Sequence, residues 1–419
     1  MFRAKSIVLA TGGIGKAYRI TSNSWEGTGD GVGLAYRAGA ELLDMEFIQF
    51  HPTGMVWPPS VRGLLVTEGV RGDGGVLRNN LGKRFMFDNI PATYAAETAD
   101  TEEEARRWLT DRHSARRPPE LLTRDVVARA IRAEVRAGRG SPHGGVFLDV
   151  SSVLDAATIQ KKLPGMYHQF MTLAELDITK QPMEVGPTCH YHMGGIRVDA
   201  ETTRTNVPGL FAAGECAAGM HGANRLGGNS LTDLLVFGRR AGKYAAEFAK
   251  DRAQYPKVQE DQVAAIARVA NKPFDDGGTE NPYQILQDLQ QSMEKLVGIV
   301  RTKSDLEQSL EELQKLKSRA EKTRVEGNRQ YNPGWHYALD LRNLLAVSEA
   351  VAHAALKREE SRGGHTREDH PESTAQFEKV NSVIRTKKGG MACEHVERKP
   401  LPDELRKILE AKDGVVYRN

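Results

Sequence analysis

Apolar positions along this chain follow two periods in turn. Residues 6–11 carry a continuous apolar run closed by Gly12-Gly13, which predicts a buried parallel strand. The glycine-rich stretch Gly27-Thr28-Gly29-Asp30-Gly31-Val32-Gly33 then opens a helix to about residue 38. Asp30 at its start is either a helix N-terminal charge or a cofactor contact. From 52 to 183 charged helical stretches (101–112 and 125–137) alternate with turns such as Arg71-Gly72-Asp73-Gly74-Gly75, an α+β insertion. Gly209-Leu210-Phe211-Ala212-Ala213-Gly214-Glu215 returns to the first pattern, a short apolar strand ending in small residues and a carboxylate. Such a strand delivers a ribose or ribityl contact in nucleotide-binding folds. A helix over 231–241 follows.

Beyond residue 250 the period is helical. Ile285, Leu289 and Leu296 mark one helix, and residues 339–356 another. Between them, Ser304 with Glu307 predicts a capping box ahead of the stripe Leu306, Leu310, Leu313. So few heptads favour an antiparallel three-helix bundle over a coiled coil. After Arg362 the chain turns polar, with a hairpin signal at Lys387-Lys388-Gly389-Gly390 between 380–385 and 391–396. No internal repeat or low-complexity tract is visible. The expected organisation is an α/β nucleotide-binding core (1–51 and 184–250), an inserted α+β domain (52–183), a helical domain (251–362) and a C-terminal segment (363–419).

Composition narrows the class only slightly. A chain of 419 residues, 27% charged and 39% hydrophobic, fits a globular protein of about three domains. A net charge of +3 is too small to imply nucleic acid or a charged membrane surface. No apolar stretch reaches the ~18 residues that span a bilayer, so membrane attachment would come through a partner. Cys189, Cys216 and Cys393 have no paired spacing, which disfavours iron–sulfur or structural zinc sites and suits a reducing compartment. Cys189-His190-Tyr191-His192 offers clustered ligands without a second group, a poor metal site.

The chemistry is concentrated in two motifs about thirty residues apart. They are Pro187-Thr188-Cys189-His190-Tyr191-His192-Met193-Gly194-Gly195 and Gly222-Ala223-Asn224-Arg225-Leu226-Gly227-Gly228-Asn229-Ser230. Each sets one strong polar side chain, His190 or Arg225, among glycines that let backbone and ligand approach closely. Together with Phe50-His51-Pro52-Thr53-Gly54, Leu64-Leu65-Val66-Thr67-Glu68-Gly69-Val70-Arg71 and Leu122-Thr123-Arg124-Asp125-Val126-Val127, they resemble the flavoprotein subunit of succinate dehydrogenase and fumarate reductase. The resemblance runs from Ile7-Val8-Leu9-Ala10-Thr11-Gly12-Gly13 to Ser361-Arg362-Gly363-Gly364-His365-Thr366-Arg367-Glu368-Asp369. It implies a Rossmann-like FAD-binding core with the insertion as a capping domain. One departure stands out: chains of that family begin with a Gly-x-Gly-x-x-Gly turn for the FAD pyrophosphate, followed by a flavin-linking histidine. Here Gly12-Gly13-Ile14-Gly15 has the wrong spacing for that fingerprint. The core is therefore expected to be N-terminally incomplete, and the isolated chain to bind FAD weakly without a separate polypeptide.

What the resemblance implies for individual residues can be weighed against plainer readings. His51 and His190 would donate hydrogen bonds to opposite ends of a dicarboxylate, although a lone histidine before a proline is more often structural. Arg225 would grip a carboxylate with a permanent charge and a two-pronged donor, and Thr67 would complete the grip. Glu68 and Arg71, three apart, read plainly as a solvated ion pair; by resemblance they and Arg124 form a proton path ending on substrate carbon. Arginine holds its proton too tightly for ordinary acid catalysis, so Arg124 could serve only opposite a carbanion-like centre. His192 lies beside the site. Asp30, Glu215, Asn229, Ser230 and Leu231 match FAD contacts, with an ordinary helix cap by Asn229 or Ser230 as the plainer reading. The expected activity is FAD-dependent interconversion of succinate and fumarate, with a membrane anchor and an iron–sulfur subunit as partners. Those partners would place the chain peripherally at the cytoplasmic face of the inner membrane. An L-aspartate oxidase-like enzyme and an inactive fragment are the alternatives.

Overall fold

The computed structural model describes residues 3–275, 277–387 and 389–410. Strands β1 (Ile7–Leu9) and β8 (Leu210–Ala212) form a short parallel pair. β1 follows the expected run, but it is not buried: Ile7 is 53% and Val8 40% exposed. A second, antiparallel sheet has the order β10-β9-β2-β7, from β2 (Leu42–Leu43), β7 (Gly195–Ile196), β9 (Val380–Lys387) and β10 (Gly390–Glu397). The third, also antiparallel, has the order β3-β6-β5-β4, from β3 (Ile48–Met55), β4 (Val76–Arg78), β5 (Val146–Asp149) and β6 (Met183–His192). Its β3–β6 ladder slips twice, between Gln49 and Phe50 and between His51 and Gly54. Pro52 lies inside the second slip, where the missing N–H prevents a regular ladder.

The first half carries α1 (Asp30–Arg37), α2 (Glu68–Gly72), α3 (Glu102–Arg107), α4 (Arg124–Arg136), α5 (Ala156–Lys162) and α6 (Pro164–Ala174). The second half carries α7 (Asn229–Lys250), α8 (Glu260–Asn271), α9 (Pro282–Leu296), α10 (Lys303–Ala320) and α11 (Pro333–Lys357). Two short helices, α12 (Ala375–Glu378) and α13 (Asp403–Glu410), flank the terminal hairpin. α9, α10 and α11 pack on one another as the leucine stripes predict. The cap of α10 differs from the expected Ser304/Glu307 box. Thr302 is the N-cap and its hydroxyl accepts from Asp305 N at 3.1 Å, because the chain is still extended at Thr302 and already helical at Lys303. α7 outruns its predicted span, and α8 was not expected: Ile266 and Val269 are 68% and 44% exposed, so no buried face announces that helix.

Two hydrophobic cores result. One gathers Ile14, Ile48, Cys189 and Ala212 with the α9–α11 leucines; the other gathers Met55, Val70, Val127, Val146, Phe170 and Val185. β3 and β6 run from the first core into the second, since each has residues in both. His51 and His190 sit where those two strands cross over. α4 packs on β3 with Val126, Val127, Ala130 and Ile131 buried, which leaves its N-terminus at the same crossover.

Candidate dicarboxylate site

At the crossover the rings of His51 and His190 meet edge to face, their centroids 5.4 Å apart. His51 is 1% exposed, and Thr53 N donates to its Nδ1 at 3.3 Å. That bond makes Nδ1 an acceptor, so the neutral ring carries its proton on Nε2. Burial, then Arg71, Arg124 and His190, hold the His51 pKa well below 6.5. Burial, with Arg124 and Arg225, lowers His190 to about 3. Its Nδ1 lies 2.8 Å from the Ser22 hydroxyl. Both rings are therefore neutral hydrogen-bonding groups in an electropositive place.

The positive field comes from three arginines. Arg124, the first residue of α4, reaches Glu68 Oε2 with Nε at 3.2 Å and Gln49 Oε1 with Nη1 at 2.9 Å. Arg225 Nη2 donates to the same Gln49 oxygen at 3.1 Å, and its Nη1 to Ser230 Oγ at 3.2 Å. Its guanidinium lies 4.4 Å over the Tyr191 ring. Arg225 is 5% exposed, and its Nε has no hydrogen-bond partner among the described residues. Arg71 Nη2 approaches Glu68 Oε2 at 3.6 Å, while burial lowers its pKa to about 10. Thr67 caps α2 with its side chain free and exposed, one residue before Glu68. Gly227 closes the ring: a Cβ there would lie 3.2 Å from Arg124 Nη2. The structure thus brings His51, Thr67, Glu68, Arg71, Arg124, His190 and Arg225 into one neighbourhood. Its permanent cations face a half-exposed carboxylate (Glu68, 46%) and a neutral amide. Such a site is short of negative charge and suited to an anion with two carboxylates.

Comparison with known proteins agrees with this chemistry. A family described as FAD binding domain matches residues 1–231, and one described as Fumarate reductase flavoprotein C-term matches residues 286–408. The succinate dehydrogenase flavoprotein subunit of Rickettsia bellii is 35% identical over 98% of this chain and 67% of that protein. The chain belongs to the succinate dehydrogenase and fumarate reductase flavoprotein family. A fumarate reductase (CoM/CoB) subunit of Methanothermobacter marburgensis is 43% identical, over 92% of this chain and 64% of that protein. Among solved structures, Mycobacterium smegmatis Sdh1 in complex with UQ1 superposes with a TM-score of 0.83 at 54% identity, over 97% of this chain and 64% of that one. The chain therefore spans just under two thirds of the length of these last two relatives.

The residues expected to meet FAD in this flavoprotein family fit such a group. Glu215 follows β8, and a Cβ on Gly13 would lie 2.1 Å from its Oε1, so backbone and carboxylate touch only because Gly13 has no side chain. Burial raises Glu215 to about 7, and its Oε1 accepts from His192 N at 3.0 Å. The residue before α7 is Gly228, at φ +77°, with no side-chain cap. The ordinary cap by Asn229 or Ser230 is therefore absent: both are already helical, Ser230 turns to Arg225, and the amides of Asn229 and Leu231 donate to Leu226 O at 3.2 Å and Gly228 O at 3.0 Å instead. Leu231 is 66% exposed beside them. Asp30 opens α1, where its carboxylate accepts from Asn343 of α11, and the next residue, Gly31, packs on Thr11 just past β1. These groups border the carboxyl ends of β1 and β8, where open α/β sheets bind their ligands.

His192 points away from the site, its Nε2 3.1 Å from Met45 O. Four polar residues at the site escaped the sequence reading: Gln49, Ser22, Asp125 and Asn224. Gln49 left a signal, since it stands two positions before His51 and alternate strand residues share a face. Asp125 and Asn224 adjoined known arginines, but nothing in the sequence pairs them with each other. Ser22 lies in a loop with no periodicity.

Proposed function

We propose that this chain forms the dicarboxylate-binding part of an FAD-dependent oxidoreductase that interconverts succinate and fumarate. The observation that carries the reading is the sharing of one Gln49 oxygen by two arginines that have no buried carboxylate partner, beside two neutral histidines. In this reading His51 and His190 donate to the substrate carboxylates, Arg225 forms the two-pronged ion pair, and Thr67 adds its hydroxyl. Arg124 exchanges a proton with substrate carbon, and Glu68 restores it. Glu68 is placed for this work, because Arg124 and Arg71 approach the same carboxylate oxygen at 3.2 and 3.6 Å. The lowered hold of Arg71 on its proton suits a member of a relay. Bound FAD, held by Asp30, Glu215, Asn229, Ser230 and Leu231, supplies the hydride acceptor or donor.

Residues 1–51 and 184–250 act as the FAD-binding unit in this proposal, 52–183 as the cap that excludes water, 251–362 as the helical domain and 363–419 as the C-terminal segment. The second core, which lies within the cap but for Val185, supports that boundary, while the first core runs on from the FAD-binding unit into the helical domain. Among the described residues no helix is long and apolar enough to cross a membrane. A membrane anchor and an iron–sulfur subunit are the proposed partners, with the flavoprotein peripheral. The test is a titration of FAD-loaded protein with malonate, followed by fumarate reduction with an artificial electron donor. Saturable binding and turnover are expected; a protein that takes up FAD but binds no dicarboxylate would overturn the reading.

A further inference from the structure

Arg124 and Arg225 carry like charges and reach one amide oxygen from separate parts of the fold. One starts α4; the other lies in the loop before α7. Their immediate chain neighbours bond to each other, Asn224 Nδ2 donating to Asp125 Oδ1 at 3.1 Å. Asn224 Oδ1 accepts from Gln49 Nε2 at 2.8 Å, and that nitrogen also donates to Arg225 O at 2.7 Å. The second oxygen of Asp125 accepts from Arg129 Nη1 at 3.0 Å, one turn further along α4. The same nitrogen of Arg129 reaches Thr366 Oγ1 at 3.4 Å, while Gly364 N donates to Ala223 O at 2.8 Å, so the C-terminal segment buttresses both ends.

We propose that Asp125 and Asn224 are positioning residues, a clamp that holds Arg124 beside Arg225, so that a dicarboxylate gripped by Arg225 meets Arg124 at its carbon. The inference rests on the dicarboxylate reading above. Its physical basis is the polarity of the chain of bonds. Guanidinium groups only donate and the Arg225 carbonyl only accepts, so Gln49 must turn its oxygen to the arginines and its amide to Asn224. Asn224 must then offer its oxygen to Gln49 and its NH₂ to position 125. A carboxylate at 125 takes that bond on one oxygen and the Arg129 bond on the other. Without the clamp, one neutral oxygen and the half-exposed Glu68 would be left to oppose the repulsion between two arginines. That repulsion is visible at Arg225, whose pKa is lowered by burial and then by Arg124. The plainer role for Asp125, a first-turn charge favouring the start of α4, makes no demand on Asn224.

Three proteins decide the matter, each loaded with FAD and titrated calorimetrically with malonate: the unmodified chain, Asn224→Asp, and the swap Asp125→Asn/Asn224→Asp. Asn224→Asp faces two carboxylates across the clamp while leaving α4 untouched, and is expected to weaken malonate binding by about tenfold or more. In the swap, the amide at 125 donates to the carboxylate at 224, whose other oxygen accepts from Gln49, so every bond is remade in its place. Affinity should return to within about threefold of the unmodified protein. A harmless Asn224→Asp overturns the clamp, and so does a swap that recovers nothing, whatever its melting temperature. An unmodified protein that holds FAD yet ignores malonate overturns the dicarboxylate reading itself, and the clamp with it.

Discussion

The surroundings of Arg358 and of Arg225, two buried arginines, are built on opposite plans. Beneath the terminal hairpin, Arg358 is 1% exposed and enclosed by Glu46, Glu360 and Asp44, themselves 0%, 0% and 4% exposed. Its Nη1 meets Glu360 Oε1 at 3.1 Å and its Nη2 lies 3.8 Å from Asp44 Oδ1, while Nε bonds Glu46. Burial pushes the Arg358 pKa down, but Glu46, Asp44 and Glu360 together outweigh it and the net shift is upward. At the crossover, Arg225 is buried almost as deeply and shifts downward, through burial first and then because Arg124 rather than a carboxylate is its close charged neighbour. The first cluster is electrically complete and serves to fasten the 44–47 loop to the C-terminal segment. The second is short of counter-charge, with one half-exposed carboxylate, Glu68, among three arginines. A buried cation without an anion costs stability, so its persistence argues that the anion arrives as ligand.

The sharpest way to break this contrast is to remove one arginine from each cluster. Arg358→Met would leave the buried Glu46 and Asp44 without their cation, Glu360 keeping Arg362, and is expected to cost about 3–5 kcal/mol in urea unfolding. Arg225→Met should be near neutral or stabilising in the ligand-free protein; an equal loss at both positions would erase the distinction. Next in size is Arg124→Gln, which should lower turnover by about 10²–10⁴-fold while malonate still binds, if the side chain acts on the proton. A matching loss of malonate affinity would make Arg124 a binding group instead. Arg225→Lys keeps the charge but not the two-pronged donor, and should weaken malonate by about 1.5–3 kcal/mol, tenfold or more.

The smallest effect is on pH dependence, where buried histidines and buried carboxylates tilt stability in opposite directions. His190 and the neighbouring His192 have folded pKa values lowered to about 3 and about 4 by burial. The unfolded chain binds their protons first, so the stability they contribute is present above pH 6.5 and falls as the solution is acidified. Each should cost about 1 kcal/mol over the first pH unit below that point. Asp44, raised to about 7 by burial and Glu46, works the other way: its share is present below the ordinary carboxylate range and is lost as pH rises through 7. Unfolding free energies measured from pH 5 to 8 should therefore show a maximum between, and His190→Gln should flatten only the acid side.

Much of the site was legible because its residues come in local motifs. His51, Thr67, Glu68, Arg71, Arg124, His190 and Arg225 each stood in a short run of recognisable neighbours, and the structure gathers all seven. What was not legible depends on contacts between distant segments. Gln49 meets Arg124 across 75 positions and Arg225 across 176. Neither pairing leaves a trace in local spacing. The cap of α10 was misplaced by two residues for a smaller reason: Thr302 and Ser304 are both good caps, and only the backbone turn chooses between them. β1 was rightly read as a strand, but periodicity reports that a residue is apolar, not whether anything covers it.

By itself the sequence determined the kinds of element and their order: apolar runs for strands, leucine stripes for the α9–α11 bundle, glycine-flanked polar residues for the site. Those follow from local chemistry, which acts over a few residues along the chain. Only the tertiary structure decided that β3 and β6 cross between two cores and so bring His51 beside His190. It also decided that two arginines share one amide oxygen, and that Asp125 faces Asn224 across 99 positions. These arrangements come from burying both cores at once. Hydrophobic packing sets which backbones meet, and the polar groups then pair with whatever donor or acceptor they find opposite them.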